Sequence, residues 1–209
     1  LASWIFAAAA LVLTFPFWLT VNYLGAPDNG VIAGSYLGSW VLAGCMLAIS
    51  QTMSALTKNQ VIALVLAVIV NFLFFLSGVE YVLGFFRMFA PAAVVDMVAS
   101  FSFLVHFGTI AGGLLEMRDV VFFVSVILLF NVTTILVVSF RTSGTSRWLK
   151  STQAAYYVLF FLLLLTAFTG LNLTANRFLR TEQYDFTQEK LHTLTPSSRR
   201  VLELSLIHI

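Results

Sequence analysis

Few residues in this chain have side chains that can do acid–base or metal chemistry, and several of them share one short stretch. His106, Glu116, Arg118 and Asp119 sit there with Gly108, Gly112 and Gly113 between them. An imidazole and two carboxylates are metal-ligand types, but their spacing matches no recognised ligand pattern. No nucleophile–base pair or pair of acids marks a catalytic centre, so an enzyme is not expected. No Walker-type phosphate loop is present, so ATP is not expected to bind here through that motif. His106 reads as a polar residue at an interface, with a place in a substrate path as the sharper alternative. Arg118 and Asp119 read as anchors at a helix entrance, where Asp119 complements the helix N-terminus. A gating role is their alternative. Cys45 is the single cysteine, which excludes an internal disulfide and leaves it a small buried apolar residue.

The elements that must position these groups are hydrophobic. The chain is 60% hydrophobic and 10% charged, with 21 Phe. A soluble domain carries about 25% charged residues. The fold class is therefore an all-α polytopic membrane protein. A net charge of +2 is too small to point to nucleic acid. The aromatic richness suits lipid contact and needs no lipid substrate to explain it.

Five uncharged runs read as spans, over about 1–24, 31–57, 61–79, 120–140 and 154–172. Pro16 is expected to kink the first. In the second, Gly34 and Gly38 form a small-xxx-small pair that permits close helix approach within the chain or between copies. Asn71 in the third is expected to bond across helices. Lys58, Asn59 and Gln60 form a tight polar turn. Between Glu80 and Asp119 the pattern breaks at Gly84, Arg87, Pro91 and Asp96. Pro91 suits the first turn of one short helix, and Ser102 suits the cap of another. Neither is long enough to cross about 30 Å of hydrocarbon. The spacing predicts a re-entrant hairpin over about 90–115, joined near Ser100–Ser102. Asn172-Leu-Thr174 matches the glycosylation sequon, a match that arises easily by chance.

Basic residues set the orientation. Lys58, Arg141, Arg147 and Lys150 lie in loops free of acids, whereas Asp28, Glu80, Asp96, Glu116 and Asp119 fall on the other side with Arg87 and Arg118. The positive-inside rule makes the first set cytoplasmic. Both basic loops share a side only if the hairpin crosses an even number of times or not at all, so re-entry is expected rather than a sixth full span. The tail beyond the last span is then extracytoplasmic. Residue 1 is Leu, and both ends are expected to be truncations, with Ser205–Ile209 a scar of cloning or assembly.

With these residues in place, His106-Phe-Gly-Thr-Ile-Ala-Gly-Gly-Leu-Leu-Glu-Met-Arg-Asp-Val-Val-Phe-Phe123 resembles the signature before the last span of type-2 ABC exporter permeases of the gliding-motility kind. Ser54-Ala-Leu-Thr-Lys-Asn-Gln60 is similar to that family's turn, and Pro16 and Pro27-Asp28 fit. The resemblance covers about residues 1–141 and corresponds to the last four spans of a six-span permease. Asp185-Phe-Thr-Gln-Glu-Lys-Leu-His-Thr-Leu-Thr-Pro196 resembles the opening of the companion auxiliary subunit's extracytoplasmic domain, with His192 at its usual Tyr position. In that part Thr195 is expected to cap a helix that Pro196 begins and Arg199 to Leu204 continue.

The resemblance implies a permease (1–141) joined by a cytoplasmic linker (142–152) to an auxiliary span and domain start (153–209), in the inner membrane. It implies a nucleotide-binding partner subunit that holds the ATP and Mg, and a second permease half or homodimer. No cofactor is expected in this chain. His106, Gly112, Gly113, Glu116, Arg118 and Asp119 become candidate gate residues, and Lys58, Asn59 and Gln60 the candidate cytoplasmic turn. The alternative is a non-transporting anchor or scaffold of an envelope or gliding machine.

Overall fold

The computed structural model describes residues 2–142, 147–179 and 183–193. Their order is α1 (Ala2–Leu13), α2 (Phe15–Leu24), α3 (Asn29–Leu56), α4 (Gln60–Leu76), α5 (Glu80–Arg87), α6 (Ala92–Ala99), α7 (Phe103–Ala111), β1 (Leu114–Glu116), α8 (Met117–Thr142), α9 (Arg147–Phe178) and β2 (Gln183–Asp185). Among the described residues, four helical stretches are long and apolar enough to cross a membrane, and up to six if each of two bent pairs counts as one span. The chain is a multi-pass helical membrane protein, and the expected five spans fall inside that range.

Local chemistry sets the boundaries. Pro16 lacks a backbone donor, and the first span breaks at Thr14 and resumes as α2. The Asp28 carboxylate caps α3 by accepting from Gly30 and Val31 at 2.8 and 3.3 Å. The Asn59 side chain caps α4 in the same way, through Val61 and Ile62. The third span is shorter than the expected 61–79. It ends at Leu76 and bends by 75° into α5. Glu80 and Arg87 close α5 with an exposed ion pair. Charges at that point favour an interface over hydrocarbon.

α3 and α8 form the centre of the bundle, with α9 against α8, and α4, α7 and α1 against α3. Cys45, Ile49, Phe103, Phe122, Phe123 and Val126 are fully buried between them. Phe103 stacks on Phe74 at 4.9 Å and meets Phe122 edge-on at 6.0 Å. Part of the chain's phenylalanine therefore builds a core rather than a lipid-facing surface. Gly34 and Gly38 let α7 approach α3. A Cβ on Gly34 would stand 2.5 Å from the Ile110 carbonyl oxygen, and one on Gly38 would press on Ile110 and Phe107. The small-residue pair thus serves packing within the chain.

Two polar expectations change places. Asn71 donates to Ala67 in its own helix at 2.8 Å rather than across helices. Asn172, the residue of the sequon, makes the inter-helix bond instead. It is buried in α9, and its amide donates to Ser125 Oγ of α8 at 2.9 Å. An amide held in a helix and used this way is no glycan acceptor. The helix of the last span extends further at its start than the span itself: α9 begins at Arg147 while its candidate span begins at Gln153, close to the expected 154, so the stretch read as a linker over 142–152 is helical at Thr142 and from 147 onward. Residues 143–146 and 194–209 lie outside the described residues, and with them Thr195, Pro196 and the expected helix Arg199 to Leu204.

Candidate functional site at the acidic end of the bundle

The bend expected near Ser100–Ser102 is present. α6 and α7 meet at 59° across it. Ser102 caps α7, its hydroxyl accepting from Leu104 and Val105 at 3.1 and 3.4 Å. Pro91 stands one place earlier than expected, as the N-cap residue of α6. The Ser102 hydroxyl and Gly78 fit closely, because a Cβ at Gly78 would lie 2.0 Å from that oxygen. The hairpin is thereby seated against the end of α4.

The chain then reverses at Gly112 and Gly113. Gly112 caps the C-terminus of α7. Gly113 has φ +83, a backbone region that other residues enter only with strain. The reversal is followed by strand β1, which takes up the end of the hairpin expected over about 90–115. β1 pairs antiparallel with β2, Leu115 opposite Tyr184, and Phe186 N–H donates to the Gly113 carbonyl at 2.8 Å. No periodicity in either stretch signalled this short ladder.

The turn delivers the four charged or titratable groups to one place. His106 and Asp119 meet in a buried contact, Nδ1 to Oδ1 at 2.6 Å, with side chains 3% and 0% exposed. The other ring nitrogen, Nε2, lies 2.9 Å from the Ser100 carbonyl oxygen. The ring stacks on Phe122 with centroids 4.0 Å apart. Arg118 pairs through Nε with Glu116 Oε2, and Asp119 Oδ1 is 3.9 Å from the same Nε. Glu116 also accepts from Gln183 Nε2 at 3.4 Å. Arg118 and Asp119 stand in the first turn of α8. Asp119 is wholly buried there and its partner comes from the hairpin. His106 is buried as well. Glu116 turns to Arg118 instead of joining a metal trio, and no group of three or more metal-ligating side chains gathers among the described residues.

Lys58, Asn59 and Gln60 do not join this site. They lie exposed at the opposite end of α3. There Arg141 donates to the Leu56 and Thr57 carbonyls at 2.7 and 3.4 Å, tying the end of α8 to the C-terminus of α3. A cation on the last carbonyls of a helix is favourable. One end of the bundle thus carries Lys58 and Arg141, and the other gathers Asp28, Glu116, Asp119 and Asp185. That separation was legible in the charge pattern of the loops.

Asp185 organises the tail. Its carboxylate accepts from the Thr187 hydroxyl, the Thr187 and His192 amides and the Thr193 hydroxyl. These bonds, the Thr187 hydroxyl first, hold its carboxyl down to about 2 against partial desolvation. Sequence reasoning found this stretch only through its resemblance to an auxiliary subunit and did not foresee its docking.

No protein-family model, no curated protein and no solved structure matches this chain. The site must therefore be read from its own geometry.

Proposed function

We propose that the chain is the membrane part of an ATP-driven exporter of the type-2 ABC class, fused to the start of its auxiliary subunit. ATP and Mg belong to a separate nucleotide-binding subunit, which engages the end of the bundle carrying Lys58, Asn59, Gln60 and Arg141. That end faces the cytoplasm, and the 183–193 tail lies outside the inner membrane. Two permease units, identical or related, enclose the path.

One observation carries this reading. The broken hairpin α6–α7 is fastened to the head of α8 by a buried ionisable pair, His106 and Asp119, inside the stretch that resembles the permease signature. Ionisable residues buried at a helix end in a membrane protein are costly and mark working parts. The hairpin is an exit-side gate and the pair is its fastening. Gly113 gives the turn its shape, and Arg118 with Glu116 balances the charge beside it.

The full-length protein, expressed with its neighbouring genes, should co-purify with an ATPase subunit and show vanadate-sensitive ATP hydrolysis. Arg118→Ala and Asp119→Asn should then abolish flux while the complex still assembles. A complex without an ATPase would favour the non-transporting scaffold, and flux indifferent to both substitutions would take the gate role from Arg118 and Asp119.

A further inference from the structure

We propose that His106 and Asp119 form a proton-binding site, and that the bound proton fastens α6 to α7. This inference rests on hydrogen-bond accounting at His106 and holds whether or not the chain transports anything.

A neutral imidazole has one N–H donor and one bare nitrogen. Both nitrogens of His106 face oxygens: Asp119 Oδ1 at 2.6 Å and the Ser100 carbonyl at 2.9 Å. The carbonyl can only accept, and an ionised carboxylate can only accept. A neutral ring beside an ionised Asp119 would set one lone pair against another. The geometry is satisfied only with one further proton, either on the ring or shared with the carboxyl. The pair is then neutral, which a site with both side chains buried requires.

The surroundings agree. Arg118 of α8 and Glu116 of β1 neutralise each other. α4 carries no titratable side chain, and α3 offers only Tyr36 and Cys45. Tyr36 is engaged with Thr14, and Cys45 faces the Phe123 carbonyl. From β2 the uncharged Gln183 reaches the group, through Glu116, and the one titratable side chain of α6, Asp96, is exposed. Ser100 is the C-cap residue of α6, where carbonyls carry partial negative charge and favour a cation. Oδ2 of Asp119 has no hydrogen-bond partner among the described residues, so Oδ1 and the ring carry the whole fastening.

Loss of the proton to a base in solution leaves one N–H. That N–H stays at Nδ1, because a bond to a carboxylate is about twice as strong as one to a neutral carbonyl. Nε2 then presents a lone pair to Ser100, and the joint between α6 and α7 opens. α6 is free to respond because it packs chiefly against α5.

Two measurements on the full chain in lipid nanodiscs test this. The first is nitrogen-15 NMR of histidine, with His192 and His208 assigned by H192Q and H208Q. The second is a spin-label distance between Ala93→Cys in α6 and Leu104→Cys in α7, with Cys45→Ala. In the folded protein His106 should be doubly protonated, or share its second proton with Asp119. Where a pH series removes that proton, the label distance should lengthen over the same interval. A neutral ring with a bare Nε2 in the folded protein overturns the proposal. So does deprotonation without a change in distance, or an equal change of distance in His106→Asn. The NMR arm needs no variant at His106, so a folding failure there does not shelter the proposal.

Discussion

The carboxylate of Asp28 joins two parts of the chain 160 residues apart: Oδ1 caps α3, while Oδ2 accepts from the Gln188 backbone N–H at 3.0 Å. The tail after the last span therefore returns to the turn between the first and second spans. Gly30 makes room for it, since a Cβ there would stand 1.7 Å from the Phe186 carbonyl oxygen. Backbone cannot yield that distance, so Gly30→Val should expel the tail while Asp28 still caps its helix. A Leu115→Cys and Tyr184→Cys pair should form a disulfide efficiently with Gly30 present, and the yield should fall several-fold with Val. An unchanged yield would show that the tail docks without this contact.

The pair at His106 and Asp119 should respond more to losing one partner than to losing both. Asp119→Ala strands a buried ring and removes a charge partner, at a cost of about 3–5 kcal/mol. His106→Leu with Asp119→Leu removes both polar groups and should cost less than either single change. Thermal unfolding in detergent, read by tryptophan fluorescence, makes the comparison. A double variant weaker than the sum of the singles would contradict a neutral, mutually satisfied pair.

Asn172 and Ser125 give a smaller effect. Hydrogen bonds between membrane helices average about 0.6 kcal/mol. Asn172→Leu should lower stability by about that amount and leave the fold intact. Because the amide is buried and engaged with Ser125, the protein should carry no glycan at this site when made in a eukaryotic secretory system. A mass increase removable by an amidase would show that the packing of α9 on α8 is wrong.

Acid should release the tail turn. The Asp185 carboxyl is held at about 2, below its usual 3.8. A depressed carboxyl contributes its stabilisation fully above the unfolded value and loses it as pH falls through the folded one. Hydrogen exchange in 183–193 should stay slow relative to the free peptide above about pH 4 and lose that protection near about pH 2. Asp185→Asn should remove the pH dependence. Protection that survives below that range would mean the turn does not rely on the ionised carboxylate.

Much of this fold was legible because its signals are local. Long uncharged runs, a proline at the first span's break, the polar turns at Asp28 and Asn59, the cap Ser102, and the bend between α6 and α7 all follow from neighbouring residues. The separation of Lys58 and Arg141 from the acidic end also followed from counting charges loop by loop. The third span's early end at Leu76 and the early start of α9 at Arg147 were harder, because hydropathy does not say where a helix bends or how far it continues past the hydrocarbon.

Sequence alone therefore determined the class, the approximate spans and the stretch that holds the charged residues. Tertiary structure decided their partners. His106 could have faced water, and only the rotation of α7 against α8 turns it onto Asp119. Asn71 and Asn172 look alike in sequence, yet one bonds its own helix and the other bridges two. The β1–β2 ladder joins strands separated by two long helices. Each outcome depends on the rotation and depth of helices packed through Gly34, Gly38 and the Phe103 cluster, and those are set by shape over long sequence separations rather than by any residue's neighbours.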